Sequence, residues 1–279
     1  MKTMRLWVGG VLAVAALPVF GADICSQAPD PVAMIVARAA GYVGEYERRF
    51  TGIVGEERQT QRLVKANGGT AKQRALVSDI VLVRSGNRTS FFRDVIAVDG
   101  KPVGDRQKRL EKLFVDGPTG ALEQARAIVT ESARFDLEFP HLRGILALPL
   151  MIVKPGIAER FRFARTDDGV SLEETRSPTL VTYREGSRSW GAMLHGRLAI
   201  DAEGRLSAAS LTWANDLFDG AMDVRYGEHP TLGLLVPQEM RETYRHPRKP
   251  KEDHLEIAST YTNYRRFEVK VEEQIALPQ

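Results

Sequence analysis

GAMLHGRLAI (191–200), LSAASLTW (206–213), AMDVRYG (221–227), LLVPQEMRETYR (234–245) and HLEIASTYTNYRRF (254–267) form a ladder of short segments in which apolar and polar residues tend to alternate. DAEGR, ANDLFDG, EHPTLG and a basic loop separate them, and the Gly, Asn, Asp and Pro in these breaks are the residues that end strands in turns. A period of two puts successive side chains on opposite faces of a sheet, so the stretch reads as the back end of an antiparallel sheet. Everything earlier in the chain has to pack on that sheet or pair with it.

Upstream, Asp30-Pro31 supplies an N-cap acid followed by Pro at the first helical position. Val32, Ile35, Val36, Ala39, Ala40 and Val43 then recur at helical spacing, which predicts an amphipathic helix of about five turns laid on the sheet. From Phe50 the period shortens. FTGIVGEERQTQRLV (50–64), ALVSDIVLVR (75–84) and TSFFRDVIAVDG (89–100) read as strands, with Asn67-Gly68-Gly69 and Gly86-Asn87 as turns. In the third of these, Phe92, Ile96 and Val98 share a face with Asp94, while Phe91, Val95 and Ala97 share the other with Arg93. Apolar residues on both faces predict a sheet curved around helices or a ligand, not one with a simple wet face.

Residues 101–153 interrupt the strands. DRQKRLEKLF (105–114) is charged, 118–134 carries Leu122, Ala125, Ile128 and Val129 at helical spacing, and LRGILALPLMIV (142–153) is limited by Pro149 and Pro155. The spacing predicts a helical insertion packed on the core, which over a concave sheet would serve as a lid. Strands resume over 158–165, where Phe161 and Phe163 alternate with arginines, and continue through VSLEETR (170–176) and TLVTYRE (179–185). Ten or eleven strands are more than an open sheet usually holds without curling. The expected fold class is therefore α+β, mainly antiparallel β: a single curved half-barrel of about 10–11 strands with an N-terminal helix and lid helices.

The N-terminus reads as an export signal. Lys2 and Arg5 flank the start of an apolar run from Leu6 to Phe20, broken by Gly9, Gly10 and Pro18, with Gly21-Ala22 as small residues for cleavage. Residues 1–21 are the expected signal peptide and 22–279 a single domain, placed in the periplasm. Cys25 is preceded by Ile24, which does not suit a lipobox. As the only cysteine it excludes an intramolecular disulfide. The chain has 39 basic and 36 acidic residues, and removal of Lys2 and Arg5 with the leader leaves 37 against 36. That balance gives no warrant for nucleic-acid binding. The basic stretch 246–254 reads as a proline-stiffened hairpin loop.

Catalytic signatures are absent. His141, His195, His229, His246 and His254 are scattered without metal-ligand spacing, and HExxH, GxSxG and Gly-rich phosphate loops are missing. Asn215, Asp216, Asp219 and Asp223 gather around Gly220 as a hairpin turn would. The reading is a non-catalytic, monomeric protein that needs no cofactor or metal. What the chain has in excess is large apolar side chains. Phe91, Phe92, Ile96, Leu146, Met151, Phe161, Phe163, Trp213, Met222, Tyr226 and Met240 are the candidates to line a hollow, most of them otherwise core. A hollow that takes acyl chains needs no motif, since each buried methylene contributes about 0.8 kcal/mol.

MDVRYGEH (222–229), Gly233-Leu-Leu-Val-Pro237 with QEMRETY, and STYTNYRRFEV (259–269) resemble the closing strands of LolA-like periplasmic lipoprotein-sorting carriers. The order of leader, long helix, antiparallel strands and lid helices is similar too. The resemblance implies an incomplete antiparallel barrel that carries lipid or lipoprotein acyl chains non-covalently under a helical lid. Arg143, Arg160 and Arg162 are the candidates for that family's lid-locking arginine. The alternative is an envelope scaffold of the same fold whose hollow is filled, and which meets a protein partner through an edge strand or the basic loop.

Overall fold

The computed structural model describes residues 30–85, 88–104, 127–185, 187–216, 218–248 and 252–266, with backbone alone at 83–85, 88–90 and 184–185. The leader, Cys25, the Gly86-Asn87 turn and the charged segment 105–126 lie outside the described residues.

Helix α1 (Pro31–Phe50) starts as its sequence dictates. The Asp30 side chain accepts a 2.9 Å hydrogen bond from the Val32 N–H, and Pro31 occupies the first turn, where its missing donor is harmless. The helix ends at Thr51, whose hydroxyl donates to the Glu47 carbonyl, and at Gly52 in the left-handed region. Its apolar stripe of Ala39, Val43, Tyr46 and Phe50 is buried in the hollow of the sheet.

Among the described residues, twelve strands make one unclosed antiparallel sheet: β1 (Ile53–Val64), β2 (Thr70–Ser85), β3 (Arg88–Val98), β4 (Lys101–Pro102), β5 (Phe161–Thr166), β6 (Gly169–Glu174), β7 (Val181–Glu185), β8 (Arg188–Ile200), β9 (Leu206–Ala214), β10 (Asp219–His229), β11 (Leu234–Arg245) and β12 (His254–Arg266). The order is β4-β3-β2-β1-β12-β11-β10-β9-β8-β6-β5, with β7 pairing β8. The fold is thus a curved α+β half-barrel, one strand richer than the upper expectation. The addition is β4, two residues long, turned back on β3 by Asp99 and Gly100, both at positive φ. At 158–160 the expected strand gives way to a 3₁₀ turn, and β5 begins at Phe161.

The N-terminal hairpins join the C-terminal ladder through β1 and β12, paired from Ile53↔Arg266 to Val64↔His254. The closing motif acts at this seam. The Tyr264 hydroxyl donates to the Pro237 carbonyl at 2.6 Å, and Asn263 donates to Glu56.

Two parts of the hollow differ. Toward β8–β10, the side chains of Leu194, Leu198, Leu211, Trp213 and Met222 are at most 1 % exposed, and α1 closes over the interior. Toward β1–β3 and β11–β12 the cover is residues 127–152: a helix at 127–132, 3₁₀ turns at Ala133–Phe135 and Ile145–Ala147, and the short α2 (Leu148–Ile152). The Ser132 hydroxyl accepts from the Val95 N–H at 3.1 Å, tying this cover to the edge of β3.

Candidate ligand cavity

Between the cover and the sheet lies a cavity of about 270 Å³. Its apolar wall comes from Ile80 on β2, Phe91 and Phe92 on β3, Met240 on β11, Ile257 on β12, and Leu142, Ile145 and Leu146 on the cover. Its floor is polar, because β1 sends Glu57 and Gln59 to the buried face at the strand period of two, with Gln61 buried next along that face. Arg93 of β3, Glu242 of β11 and Tyr261 of β12 join them, and the buried Ser259 of β12 accepts from Gln59 Nε2 at 3.3 Å.

Hydrogen bonds organise most of this floor. Arg93 Nη1 donates to Gln59 Oε1 at 2.6 Å, and Nη2 donates to Asp136 Oδ1 on the cover. Gln61 Nε2 also reaches Asp136 Oδ1 at 2.8 Å, while Gln61 Oε1 accepts from the Leu137 N–H at 2.7 Å. Asp136 Oδ2 accepts from Arg143 Nε at 2.9 Å and faces His141 Nε2 at 3.4 Å. Tyr261 donates to Glu57 Oε1 at 3.0 Å, and Tyr244 donates to Glu242 Oε2.

Burial and these partners set the charges. Burial pushes the Glu242 carboxyl up to about 7, with a further push from Glu57, against the opposing pulls of Tyr244, His141 and Arg93. Glu57 is raised by burial as well, more than Arg93, Tyr261 and Ser259 can offset. For Asp136, burial acts upward, but His141, Arg93 and Arg143 outweigh it and hold the carboxyl well below its usual range.

Of the residues singled out in the sequence, Phe91, Phe92, Leu146 and Met240 border this cavity. Trp213 and Met222 are fully buried in the filled part, where the Trp213 ring lies 6.0 Å from that of Tyr244. Tyr226 is also buried, Met151 packs partly buried against the core, and Ile96 is half-buried on β3. Phe161 and Phe163 line a separate open groove against α1. Among the three arginines, Arg143 borders the cavity, whereas Arg160 and Arg162 pair with Glu174 and Glu173. The ion pair linking cover to sheet has its arginine, Arg93, on the sheet and its acid, Asp136, on the cover. Sequence reasoning missed the polar floor. Its signal was a central strand, GEERQTQ, with polar residues at both parities.

The arrangement is that of a half-barrel with a small apolar chamber over a charged, hydrogen-bonded floor. No protein-family profile and no curated protein sequence matches the chain. Among solved structures it is similar to a domain from Vibrio parahaemolyticus named for outer membrane lipoprotein sorting, at 10 % identity and a TM-score of 0.28 over 85 % of this chain and 95 % of that one. It is also similar to a DUF1329 family protein from Desulfovibrio piger, at 8 % identity and a TM-score of 0.27 over 89 % and 95 % of the two chains.

Proposed function

We propose that this protein is a periplasmic carrier or binding protein for lipids or lipidated proteins, acting without covalent chemistry and as a monomer. In this reading residues 1–21 are a cleaved leader and 22–279 one domain, with 127–152 as its cover. The observation that carries the proposal is the chamber walled by Ile80, Phe91, Leu146 and Met240 under the 127–152 cover. Its volume, about 270 Å³, falls just below the range of roughly 300–1,000 Å³ typical of small-molecule sites. The chamber therefore suits a single apolar chain, and a lipoprotein anchor with several chains would require the cover to move.

The test is native mass spectrometry of residues 23–279 purified gently from a periplasmic extract. Extra mass released on denaturation as a lipid or acyl peptide is the expected result. A clean apo mass together with no uptake of a fluorescent fatty-acid or alkyl probe would favour the alternative, an envelope scaffold. The observation on the side of that alternative is the tight filling around Trp213, Met222 and Leu211.

A further inference from the structure

Arg93 directs its terminal nitrogens to Gln59 and Asp136 and comes no closer than 3.9 Å to Glu57. Asp136 is matched by Arg93 and Arg143. Glu57, only 4 % exposed, accepts from Tyr261 through Oε1, but its Oε2, 3.9 Å from Arg93 Nη1, is buried with no hydrogen-bond partner among the described residues. Glu242 receives the Tyr244 hydroxyl through Oε2. Two carboxylates thus face one chamber with few donors directed at them, and a buried acceptor without a donor is unfavourable.

We propose that this floor is a headgroup subsite for a primary ammonium, so that the chamber takes a single-chain amphiphile with a cationic amine head. The inference rests on reading the chamber as an amphiphile site and specifies the kind of amphiphile. An ammonium offers three donors and a positive charge, so it gives Glu57 Oε2 the hydrogen bond that Arg93, at 3.9 Å, does not make, with Glu242 as second acceptor. A neutral hydroxyl offers one donor. A carboxylate or phosphate head would lose its water against two acids, while Arg93 and Arg143 are already engaged with Asp136.

The test is calorimetric titration of the purified protein at about pH 8 with octylammonium, octanol and octanoate, where the amine is still protonated. Octylammonium binds at least about tenfold more tightly than octanol, and octanoate binds more weakly than octanol. Glu57→Gln removes the preference for the amine, read as the ratio of octylammonium to octanol affinity, and circular dichroism reports that the variant is folded. If Glu57→Gln fails to bind octanol, Glu242→Gln has to diminish the same preference, and if neither variant folds, the order of the three ligands on the native protein decides. Octanol binding without any preference for the amine, or a preference untouched in folded variants, overturns the headgroup assignment and spares the amphiphile reading. Failure of all three ligands to bind overturns both.

Discussion

Arg93 on β3 donates through Nη2 to Asp136 Oδ1 across the gap between the sheet and its cover, with the arginine side chain 20 % exposed and the aspartate 1 %. Removing one partner of such a buried pair strands the other charge, which typically destabilises by about 3–5 kcal/mol. Asp136→Asn is therefore expected to lower the unfolding free energy by about 3 kcal/mol. The double variant Arg93→Met with Asp136→Leu should recover most of that loss, because neither charge then remains buried. Urea denaturation at neutral pH measures both. A single variant within about 0.5 kcal/mol of the native protein would mean that water reaches the pair and supports the stranded arginine.

Glu242 makes stability fall as pH rises. Its carboxyl is pushed from 4.5 up to about 7 in the fold, so between those values the native state holds a proton that the unfolded chain has released. The associated stability is fully present below about pH 4.5 and is lost as pH climbs through about 7. Glu242→Gln carries no titrating proton. At about pH 4.5 it should match the native protein, and by about pH 8 it should be more stable by up to about 3 kcal/mol, since each tenfold change in proton affinity is worth about 1.36 kcal/mol. Denaturation midpoints across that range provide the check, and two parallel curves would place the titration elsewhere. The Asp136 contribution has the opposite sign and is lost only in strong acid, because its carboxyl is held low.

The architecture was legible because its signals are local. Asp30-Pro31 opens α1, the alternation in 206–214 and 254–261 gives β9 and β12 their buried faces, and Asn67-Gly68-Gly69 turns β1 into β2. The site was half legible. Phe91, Phe92, Leu146 and Met240 are large and apolar, and such residues line a chamber as readily as they fill a core. Which of these happens depends on pairings far apart in sequence. Glu57 meets Tyr261 only because β1 pairs with β12, and Gln61 meets Asp136 only because the cover folds back on the sheet. Read alone, GEERQTQ is a polar strand. Only its central place, between β2 and β12, makes Glu57 and Gln59 the floor of a cavity and buries Gln61 beside it.

The filled and open parts of the hollow should respond oppositely to mutation. Trp213 is 1 % exposed and its ring packs against Tyr244, so Trp213→Ala is expected to destabilise by about 3–5 kcal/mol. Because Trp213 does not border the chamber, octanol affinity of the folded fraction should stay within about twofold. Leu146→Trp instead puts bulk into the chamber, lowering stability by only about 1–3 kcal/mol while reducing octanol affinity more than about tenfold. Calorimetry on both variants, paired with thermal unfolding, tests the division. Equal losses of binding would mean that the hollow behaves as one packed unit.

Gly55 and Tyr264 fit closely at the β1–β12 seam. A Cβ on Gly55 would lie 2.5 Å from the Tyr264 ring, whose hydroxyl is held by the Pro237 carbonyl and whose edge meets Phe50 at 6.0 Å. Gly55→Ala thus has to displace the ring from its partners, and overpacking of this kind costs about 1–3 kcal/mol. The penalty should disappear when the ring is absent. In a Tyr264→Ala background, already weakened by the lost ring, Gly55→Ala should change stability by less than about 0.5 kcal/mol, which gives a coupling of about 1 kcal/mol or more in a double-mutant cycle. If alanine at position 55 has the same effect in both backgrounds, the glycine is required by the bend of β1 between Val54 and Glu56, where its register against β12 shifts, and not by the tyrosine.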